Sequence, residues 1–317
     1  MTALVSILLP TYNRAHLVMN AINSVLAQTY QNWELIIWND GSTDDTEKVL
    51  AALSDSRIKR YGDENHGKSY VLNQCLGLAQ GELVAFLDDD DIWLPHKLET
   101  QTEAMLSFPE IDMVFGNFRN INLVDRTEGL GFDMSHQGFS KLFSKKVDES
   151  FWLVQQGFLR GIGRDNFIAF DSVLIRKKMI NHLGLFNEKL KCAEDFEYWW
   201  RFGLSEGQAG FTERILINRY KHANSLSGRS LLASNNYIDA LDSCVEHSHL
   251  LDRVETITYL KPAYMNAWQN KIKLFGTLGE KGNAWHAFIK SLKYGFSPGS
   301  VKLILRSLIS SKKINIY

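Results

Sequence analysis

Four consecutive aspartates, Asp88–Asp91, stand directly after the apolar segment Leu83–Leu87. Neighbouring carboxylates repel one another, by roughly 1 kcal/mol for a close pair in water and by several-fold more in a cleft. Mg²⁺ or Mn²⁺ relieves such repulsion, because hard cations prefer carboxylate and phosphate oxygens as ligands. An ordinary solvated turn would also accommodate them, since aspartate favours helix N-termini. The run therefore predicts either a divalent-metal site or an acidic helix cap.

A second pair of acids, Glu194 and Asp195, opens an aromatic-rich segment that ends near Leu204. An aspartate near its reference pKa is ionised at neutral pH and can act as a proton acceptor. The alternative is structural, because acidic residues in the first turn of a helix stabilise its dipole. Trp199 and Trp200 follow, and their rings suit either the core or a platform for an acceptor substrate.

The segment Gly62–Ser69 matches the pattern of a phosphate-binding P-loop, G-x-x-x-x-G-K-[ST]. In such a loop the backbone amides surround phosphate groups. Asp63 and Glu64 place negative charge inside this loop, which opposes phosphate binding. A P-loop protein also needs no run of four aspartates. A P-loop-type nucleotide-binding protein is therefore retained only as a rival interpretation.

The residues around these motifs alternate between two patterns. Short apolar runs, typical of strands covered on both faces, occupy Leu4–Leu9, Leu35–Trp38, Ile58–Tyr61 and Leu83–Leu87. Segments with helical spacing lie between them at 17–26, 49–53 and 71–79, and Pro95 fits the first turn of a fourth helix. This order predicts βαβ units and a parallel sheet, in which ligands bind beyond the carboxyl ends of the strands. Polar clusters stand at those ends, at 11–14, 39–42, 65–68 and 88–91.

The pattern becomes irregular between about Asp125 and Arg164, which predicts a long loop region, with or without short helices, of a kind that often forms a functional lid. Regular elements are predicted again as a strand at Phe167–Ile175, a helix at Asp195–Leu204 and a strand at Arg214–Tyr220. Beyond about residue 230 the sequence predicts successive short helices. We therefore expect an α/β domain over residues 1–230 and a helical region over residues 231–317.

Composition narrows the class of protein. A net charge of −1 gives no sign of nucleic-acid binding, and three widely separated cysteines argue against a disulfide framework or a structural zinc site. The N-terminal residues lack the features of a signal peptide. No stretch approaches the roughly 20 apolar residues of a membrane span. We expect a cytoplasmic protein.

The C-terminal end is basic although the whole chain is nearly neutral. No acidic residue follows Glu280, whereas the basic residues of this part are Lys281, Lys290, Lys293, Lys302, Arg306, Lys312 and Lys313. Apolar residues between Val301 and Ile309 would share one broad helical face. A basic amphipathic helix suits an anionic membrane, which predicts peripheral attachment at the inner face of the cell membrane. The alternative is a helix packed on the domain with a solvated basic face.

Several of these motifs together resemble family 2 glycosyltransferases, which have the GT-A fold, a Rossmann-like, mostly parallel sheet flanked by helices. Phe86–Leu98 resembles their D-x-D segment, and Asn65–Asn73 resembles a nucleotide-binding segment. Pro10–Asn13 and Asn39–Asp44 resemble the two nucleotide-binding segments before it. Glu194–Asp195 resembles the catalytic segment, and Arg219–Ser227 resembles a segment that closes over the diphosphate. The match extends over roughly residues 3–230, in the family's order.

The resemblance implies roles for individual residues. Asp90 would bind the Mg²⁺ or Mn²⁺ that bridges the donor's diphosphate, with Asp88 and Asp89 nearer the sugar and ribose. Asp195 takes the general-base position, and Glu194 would contact sugar hydroxyls. The remaining residues assigned to the nucleotide sugar are Thr11, Tyr12, Asn13, Asp40, Gly67, Lys68, Asn73 and His222. Among these, Asp40 would accept the imide N–H of uracil or thymine, and His222 would contact a phosphate or the metal.

These roles predict an inverting, metal-dependent glycosyltransferase that acts by a single displacement. The expected donor is a nucleotide diphosphate sugar, with UDP favoured. The expected acceptor is a hydroxyl of a glycan or lipid-linked glycan, in surface polysaccharide synthesis. Besides the P-loop protein, the alternative is a non-catalytic scaffold that binds a sugar nucleotide, although the presence of both Asp90 and Asp195 argues against it.

Overall fold

The computed structural model describes residues 2–131, 145–154, 157–164, 166–222, 231–295 and 297–309. The chain forms two compact units. The first, the sheet unit, comprises Met1–Phe158, Phe167–Lys191 and Ser205–Ala223, and the second, the helical unit, comprises Leu159–Asn166, Cys192–Leu204 and Asn224–Tyr317. The sequence predicts one boundary near residue 230, whereas in the structure two segments before that point also belong to the helical unit.

A mixed sheet of 11 strands forms the centre of the sheet unit. Its strands are β1 (Val5–Thr11), β2 (Trp33–Asp40), β3 (Ile58–Asp63), β4 (Leu83–Phe86), β5 (Ile92–Trp93), β6 (Met113–Asn122), β7 (Thr127–Leu130), β8 (Lys145–Lys146), β9 (Phe151–Val154), β10 (Leu174–Arg176) and β11 (Ala209–Lys221). The order across the sheet is β3-β2-β1-β4-β10-β6-β11-β9-β8, with β5 paired to β11 and β7 paired to β6.

The helices follow the predicted alternation in the first part of the chain. They are α1 (Val18–Leu26), α2 (Thr46–Ala51), α3 (Lys68–Leu78), α4 (Lys97–Ser107), α5 (Phe158–Ile162), α6 (Lys177–Leu183), α7 (Glu194–Leu204), α8 (Leu231–Leu250), α9 (Lys261–Leu278), α10 (Lys281–Leu292) and α11 (Pro298–Ile309). The four helices predicted before residue 110 are α1 to α4, and the predicted helix at Asp195–Leu204 is α7, so these predictions are confirmed.

The first four strands run parallel to one another, as the sequence predicts. Every residue of β1 and of β4 is buried, because central strands are covered on both faces. The register places Leu8 beside Phe86 and Thr11 beside Asn39. The polar residues that follow β1, β2 and β4 are therefore held at the same edge of the sheet.

Beyond β4 the sheet also contains antiparallel pairs. Strand β10 is antiparallel to both β4 and β6, whereas β11 is parallel to β6. The predicted loop between Asp125 and Arg164 is wrong where the described residues form the strands β7, β8 and β9, whereas the short helix α5 is one that the prediction allowed. Residues 132–144, 155, 156 and 165 lie outside the description.

The predicted strand at Phe167–Ile175 is also wrong in its first part. A 3-10 helix occupies Phe170–Ser172, and the strand β10 starts only at Leu174. Ser172 donates its hydroxyl and its backbone N–H to the carbonyl of Ala169, at 2.8 and 3.0 Å. Local hydrogen bonds of this kind compete with strand pairing, and apolar composition alone does not reveal them.

The helical unit contains longer helices than the sequence predicts, since α8 has 20 residues and α9 has 18. Helix α9 ends at Gly279, whose φ of 74° is a left-handed conformation that glycine adopts without the steric cost of a Cβ. Side chains of α9, α10 and α11 pack around Ile272, Phe288 and Ile304 in an apolar core. Among the described residues, we find no helix with the length and apolar character needed to cross a membrane.

Candidate functional site in the sheet unit

The aspartate run begins two residues after β4 and is held in place by a buried acid. The backbone N–H of Asp88 donates to Oδ1 of Asp171 at 2.5 Å. Asp171 is only 1% exposed and lies in the 3-10 helix before β10, the neighbour of β4. The backbone N–H of Asp91 donates to the carbonyl of Asp88 at 3.2 Å, which closes a turn. The backbone at both ends of the aspartate run is thus fixed by hydrogen bonds.

Lys68 lies beside the first of these carboxylates. Its Nζ atom is 2.6 Å from Oδ1 of Asp88 and 4.2 Å from the centre of the Phe170 ring. Lys68 is the first residue of α3, and Gly67 before it has a φ of 97°. Glycine adopts this positive φ without a steric clash, so the chain can turn at Gly67 and Lys68 reaches Asp88. The sequence prediction that groups Lys68 with the aspartates is consistent with this contact.

Asp89 joins the ends of β1 and β4. Its Oδ2 atom accepts the backbone N–H of Tyr12 at 3.4 Å, and its Oδ1 atom is 3.5 Å from Nε of Arg14. Burial raises the pKa of Asp89 to about 7, while a hydrogen bond from Thr11 lowers it and the neighbouring charge of Asp90 raises it. A buried carboxylate of this kind gains from any further positive charge that reaches it.

Asp90 contacts a residue from the last sequence segment of the sheet unit. Its Oδ2 atom is 3.0 Å from Nε2 of His222, the residue that follows β11. The two side chains are 20% and 18% exposed, so both are partly open to solvent. Carboxylate oxygen and imidazole nitrogen are both ligands of divalent transition metals. The remaining residues of the predicted closing segment, 223–230, lie outside the described residues.

Asp91 and Asp171 form a buried pair of acids behind the exposed edge. Carboxylate oxygens of Asp88, Asp91 and Asp171 all lie within 4.8 Å of one another. Burial raises the pKa of Asp91 well above its ordinary value, and the charge of Asp171 adds to this. Burial also raises the pKa of Asp171, to about 6. Tyr220 donates its backbone N–H to Asp91 at 2.8 Å, and Arg219 Nε is 3.8 Å away.

The chemistry of this donor set fits a divalent cation. The Oδ2 atom of Asp171 is buried, no N–H or hydroxyl of the described residues donates to it, and its neighbour is the carboxyl of Asp91. Two facing carboxyl groups need a proton or a cation between them. On the open side, Asp90 and His222 offer an oxygen and a nitrogen that an incoming ligand can reach. Hard divalent cations bind such carboxylate-rich sites.

Asp171 is the functional-site residue that sequence reasoning missed. An aspartate inside the apolar segment Phe167–Ile175 is the signal that was available, because a buried charged residue in such a run requires a partner. The distance of 83 residues that separates it from Asp88 hides that partner in the sequence.

Asp40 and the loop before α3 form a second, self-contained arrangement. The Asp40 carboxylate accepts the backbone N–H groups of His66 at 2.8 Å and Gly67 at 2.9 Å, and the side-chain amide of Asn65 at 3.1 Å. The loop amides that a P-loop would turn towards phosphate are thus directed at a carboxylate of the chain. This geometry argues against the P-loop interpretation of Gly62–Ser69.

Two predicted substrate-binding asparagines have contacts within the chain. Asn13, with a φ of 53°, accepts the backbone N–H of Thr43 at 2.7 Å and so ties the loop after β1 to the loop after β2. Asn73 is 7% exposed, and its amide bonds to the backbone of Phe186 and to Glu188. Both side chains position loops around the site, and a direct contact with the donor stays a prediction for each.

The second predicted carboxylate centre lies in the helical unit. Glu194 starts α7 and is 5% exposed. Asp195 accepts the side-chain amide of Asn166 at 2.9 Å on Oδ2, and the backbone N–H of Phe196 at 2.7 Å on Oδ1. The carboxylate of Asp195 is thus held by an amide in a fixed orientation, as a positioned proton acceptor requires.

The aromatic residues of α7 anchor this helix. Trp199 and Trp200 are fully buried, and Trp200 donates its indole N–H to the carbonyl of Cys244 at 3.1 Å. The two tryptophans therefore belong to the core, and the alternative of an acceptor platform is wrong. Glu197 is also fully buried, and it pairs with Arg201 of the same helix at 2.9 Å. Its contact with His247, also at 2.9 Å, links α7 to α8.

Solved structures share this fold. The structure of TarS from S. aureus in complex with UDP-GlcNAc superposes with a TM-score of 0.60 at 16% identity, covering 92% of this chain and 88% of that one. The mannosyltransferase PcManGT from Pyrobaculum calidifontis, in complex with GDP-Man and Mn²⁺, gives a TM-score of 0.61 at 15% identity, covering 99% and 82%. At these identities the likeness establishes the fold, and the fold is that of a GT-A glycosyltransferase.

Sequence comparison then gives the family. The family model described as Glycosyl transferase family 2 matches residues 6–167. An uncharacterized glycosyltransferase of Rickettsia typhi is 32% identical over 220 residues, which are 69% of this chain and 64% of that protein. The chain belongs to glycosyl transferase family 2, as its motifs predict.

A further relative has a named activity. The UDP-Glc:alpha-D-GlcNAc-diphosphoundecaprenol beta-1,3-glucosyltransferase WfgD of Escherichia coli is 45% identical over 120 residues, which are 38% of this chain and 47% of that protein. The aligned part spans 64% of the Rickettsia typhi protein and less of WfgD, so the curated relatives extend beyond the matched region.

Proposed function

We propose that this chain transfers a sugar from a nucleotide diphosphate donor, with UDP-sugars favoured, to a hydroxyl of a glycan or lipid-linked acceptor. The observation that carries the proposal is the set of carboxylates after β4, together with Lys68, Arg14 and His222 from three other elements. UDP is favoured because one relative is named for UDP-Glc and one structural neighbour was solved with UDP-GlcNAc.

The nucleotide would be recognised at the ends of β1 and β2. A carboxylate has about four acceptor positions, and the three hydrogen bonds to Asp40 leave one for the imide N–H of uracil. Tyr12 is 44% exposed, which leaves its ring accessible to the base, and Thr11 lies beside it at the end of β1. Asp88 and Asp89 would accept hydrogen bonds from the sugar and the ribose, and Lys68 would contact the diphosphate.

Asp90 would hold the Mg²⁺ or Mn²⁺ ion. His222 would make a second contact, either to the metal or to a phosphate. The cation would neutralise charge on the leaving diphosphate as a Lewis acid. In this scheme the buried pair of Asp91 and Asp171 supports Asp90 from the buried side of the aspartate run. PcManGT was solved with Mn²⁺, which supports a divalent cation in this fold.

Asp195 would act as the general base. It would take the proton from an acceptor hydroxyl as that oxygen bonds to the anomeric carbon, while the bond from this carbon to the diphosphate oxygen breaks. A single displacement of this kind inverts the anomeric configuration and needs no covalent sugar–enzyme intermediate. Glu194 would contact sugar hydroxyls from the preceding position.

The name of WfgD refers to a diphosphoundecaprenol-linked acceptor. By analogy we propose a lipid-linked glycan as the acceptor and surface polysaccharide synthesis as the process. A cytoplasmic chain attached to the inner face of the cell membrane would meet such an acceptor there.

The function is tested by incubating the purified chain with a panel of UDP-sugars, Mn²⁺ and an acceptor carrying the diphosphoundecaprenol group. We expect release of UDP and a new glycosidic bond of inverted configuration, measured by nuclear magnetic resonance. Asp195→Asn should still bind nucleotide yet lose transfer by about 10²-fold or more. The matched control is Asp252→Asn, an exposed residue with a φ of 53° that asparagine tolerates. Full transfer by Asp195→Asn would remove Asp195 from the base role.

The two alternatives give different results. A non-catalytic scaffold would bind a sugar nucleotide but show no metal-dependent hydrolysis of it in the absence of acceptor. A P-loop protein would bind ATP or GTP, and this binding would be abolished by Lys68→Ala but not by Asp40→Ala.

A further inference from the structure

Helix α10 exposes three large apolar side chains along one line. Trp285, Ile289 and Leu292 are spaced by four and three residues, which places them on the same face of the helix. Their exposed fractions are 49%, 49% and 41%. Single apolar residues on a surface need no explanation, whereas a contiguous row of them marks an interaction site.

This row is not needed for packing within the helical unit. The neighbouring face of α10 supplies Ala284, Ala287 and Phe288 to the apolar core formed with α9 and α11. The ring of Trp285 touches Phe288 at a centroid distance of 5.5 Å, yet about half of its surface remains open. Helix α10 is therefore apolar on two sides, and only one of them is buried.

The side chains of α11 are described up to residue 306. Ile304 is 2% exposed and belongs to the apolar core, and Val301 and Leu303 pack against it. Much of the apolar face predicted for α11 is thus used for packing, whereas Leu305 is 53% exposed. Helix α10 exposes three apolar side chains on one face, which makes it the stronger candidate for a docking surface among these described residues.

Positive charge surrounds this row. On a helix with 100° per residue, Lys281 and Lys293 lie on the two sides of the row, and Lys290 lies farther round the exposed surface. Residues 281–317 contain seven basic residues and no acidic ones. A second copy of this chain would bring the same positive charges together, which opposes self-association through this face. An anionic lipid surface is complementary to it.

We propose that α10 is a membrane-docking helix that binds an anionic lipid bilayer. Trp285, Ile289 and Leu292 insert at the level of the headgroups, where tryptophan is favoured by its apolar ring and polar N–H. Lys281 and Lys293, on the two sides of the row, contact the lipid phosphates. The proposal deepens the proposed function, since it names the surface that would bring the chain to a lipid-linked acceptor, but the docking itself requires no transfer.

The test uses the full chain and flotation with vesicles of phosphatidylcholine, prepared with and without phosphatidylglycerol. We expect the wild-type chain to float only with the anionic vesicles. The triple variant Trp285→Ser, Ile289→Ser, Leu292→Ser should bind the anionic vesicles more weakly, by about tenfold or more. About half of each replaced side chain is buried, so the melting temperature of this variant should fall, but the chain should remain folded at the temperature of the assay, which circular dichroism checks. The control is Leu250→Ser, Leu251→Ser at the end of α8, where the side chains are 78% and 52% exposed.

A second variant separates charge from insertion. Lys281→Gln, Lys293→Gln should weaken binding to anionic vesicles while the chain stays folded. Equal flotation of the wild type and the triple variant would overturn the proposal, as would absence of wild-type flotation. A wild-type dimer that the triple variant converts to monomer, without vesicle binding by either, would overturn it in favour of self-association.

Nucleotide-sugar binding, measured on the same variants, keeps the two proposals apart. Vesicle binding that depends on α10, in a chain that binds no nucleotide sugar, would leave docking intact and refute the proposed function. Nucleotide-sugar binding by a chain that never floats with the vesicles would refute docking and leave the proposed function intact.

Discussion

Nε2 of His222 lies 3.0 Å from Oδ2 of Asp90, although 132 positions separate the two residues in the sequence. Strand β11 brings the histidine to this place, because it pairs with β5 directly after the aspartate run. Both side chains are about one fifth exposed. The end of β11 thus completes the open side of a carboxylate site that β4 begins.

If His222 contacts the bound metal, its loss should weaken metal binding specifically. We expect His222→Ala to raise the Mn²⁺ concentration for half-maximal nucleotide-sugar binding by about tenfold or more. Calorimetric titration at several Mn²⁺ concentrations measures this. His182→Ala, an exposed histidine of α6, is the control. An unchanged Mn²⁺ requirement in His222→Ala would limit the histidine to a structural role.

Asp171 should respond in opposite ways to two substitutions. Asp171→Ala removes the acceptor of the Asp88 N–H and should destabilise the fold by about 1–3 kcal/mol. Asp171→Asn retains that acceptor and can donate an amide N–H to Asp91, which removes the conflict between two buried acids. We therefore expect Asp171→Asn to be as stable as the wild type or more so in the absence of metal. Urea unfolding measures both, and equal destabilisation by the two variants would contradict the account.

The buried amine of Lys97 should make the stability of the fold depend on pH. It is fully buried in α4, with Nζ 2.7 Å from Oε1 of Gln101 and 4.0 Å from the centre of the Trp93 ring. Burial lowers its pKa to about 7, with a smaller opposing effect of Asp171. Since the folded pKa lies below the unfolded one, the unfolded chain binds more protons between about pH 7 and 10, and stability rises with pH in that window.

The comparison is between the wild type and Lys97→Met, which lacks the titrating group. We expect the free energy of unfolding of the wild type, relative to Lys97→Met, to increase from pH 7 to 9 by a few kcal/mol, at about 1.4 kcal/mol per pKa unit. Urea unfolding at pH 7, 8 and 9 measures the difference. A difference that stays constant over this range would show that the amine titrates at its ordinary pKa.

The sequence predicts the first half of the fold well because its signals are local. Each apolar run from Leu4 to Leu87 is a parallel strand, although the edge strand β3 is largely exposed. Each polar cluster follows a strand, so the edge that carries Asp40 and Asp88–Asp91 could be located. The contacts of Asp171, Asn13 and Asn73 could not be predicted, because each joins segments far apart in the chain. The ambiguity of Trp199 was likewise settled only by packing, which periodicity alone does not specify.

The central claim is that the aspartates after β4 hold a metal and a nucleotide sugar together. The most direct measurement is calorimetric binding of a panel of UDP-sugars with and without Mn²⁺, for the wild type, Asp90→Asn and the exposed control Asp45→Asn. We predict Mn²⁺-dependent binding of at least one UDP-sugar that is kept in Asp45→Asn and lost in Asp90→Asn. Binding that is equally tight in Asp90→Asn, or no binding of any UDP-sugar by the wild type, would contradict it.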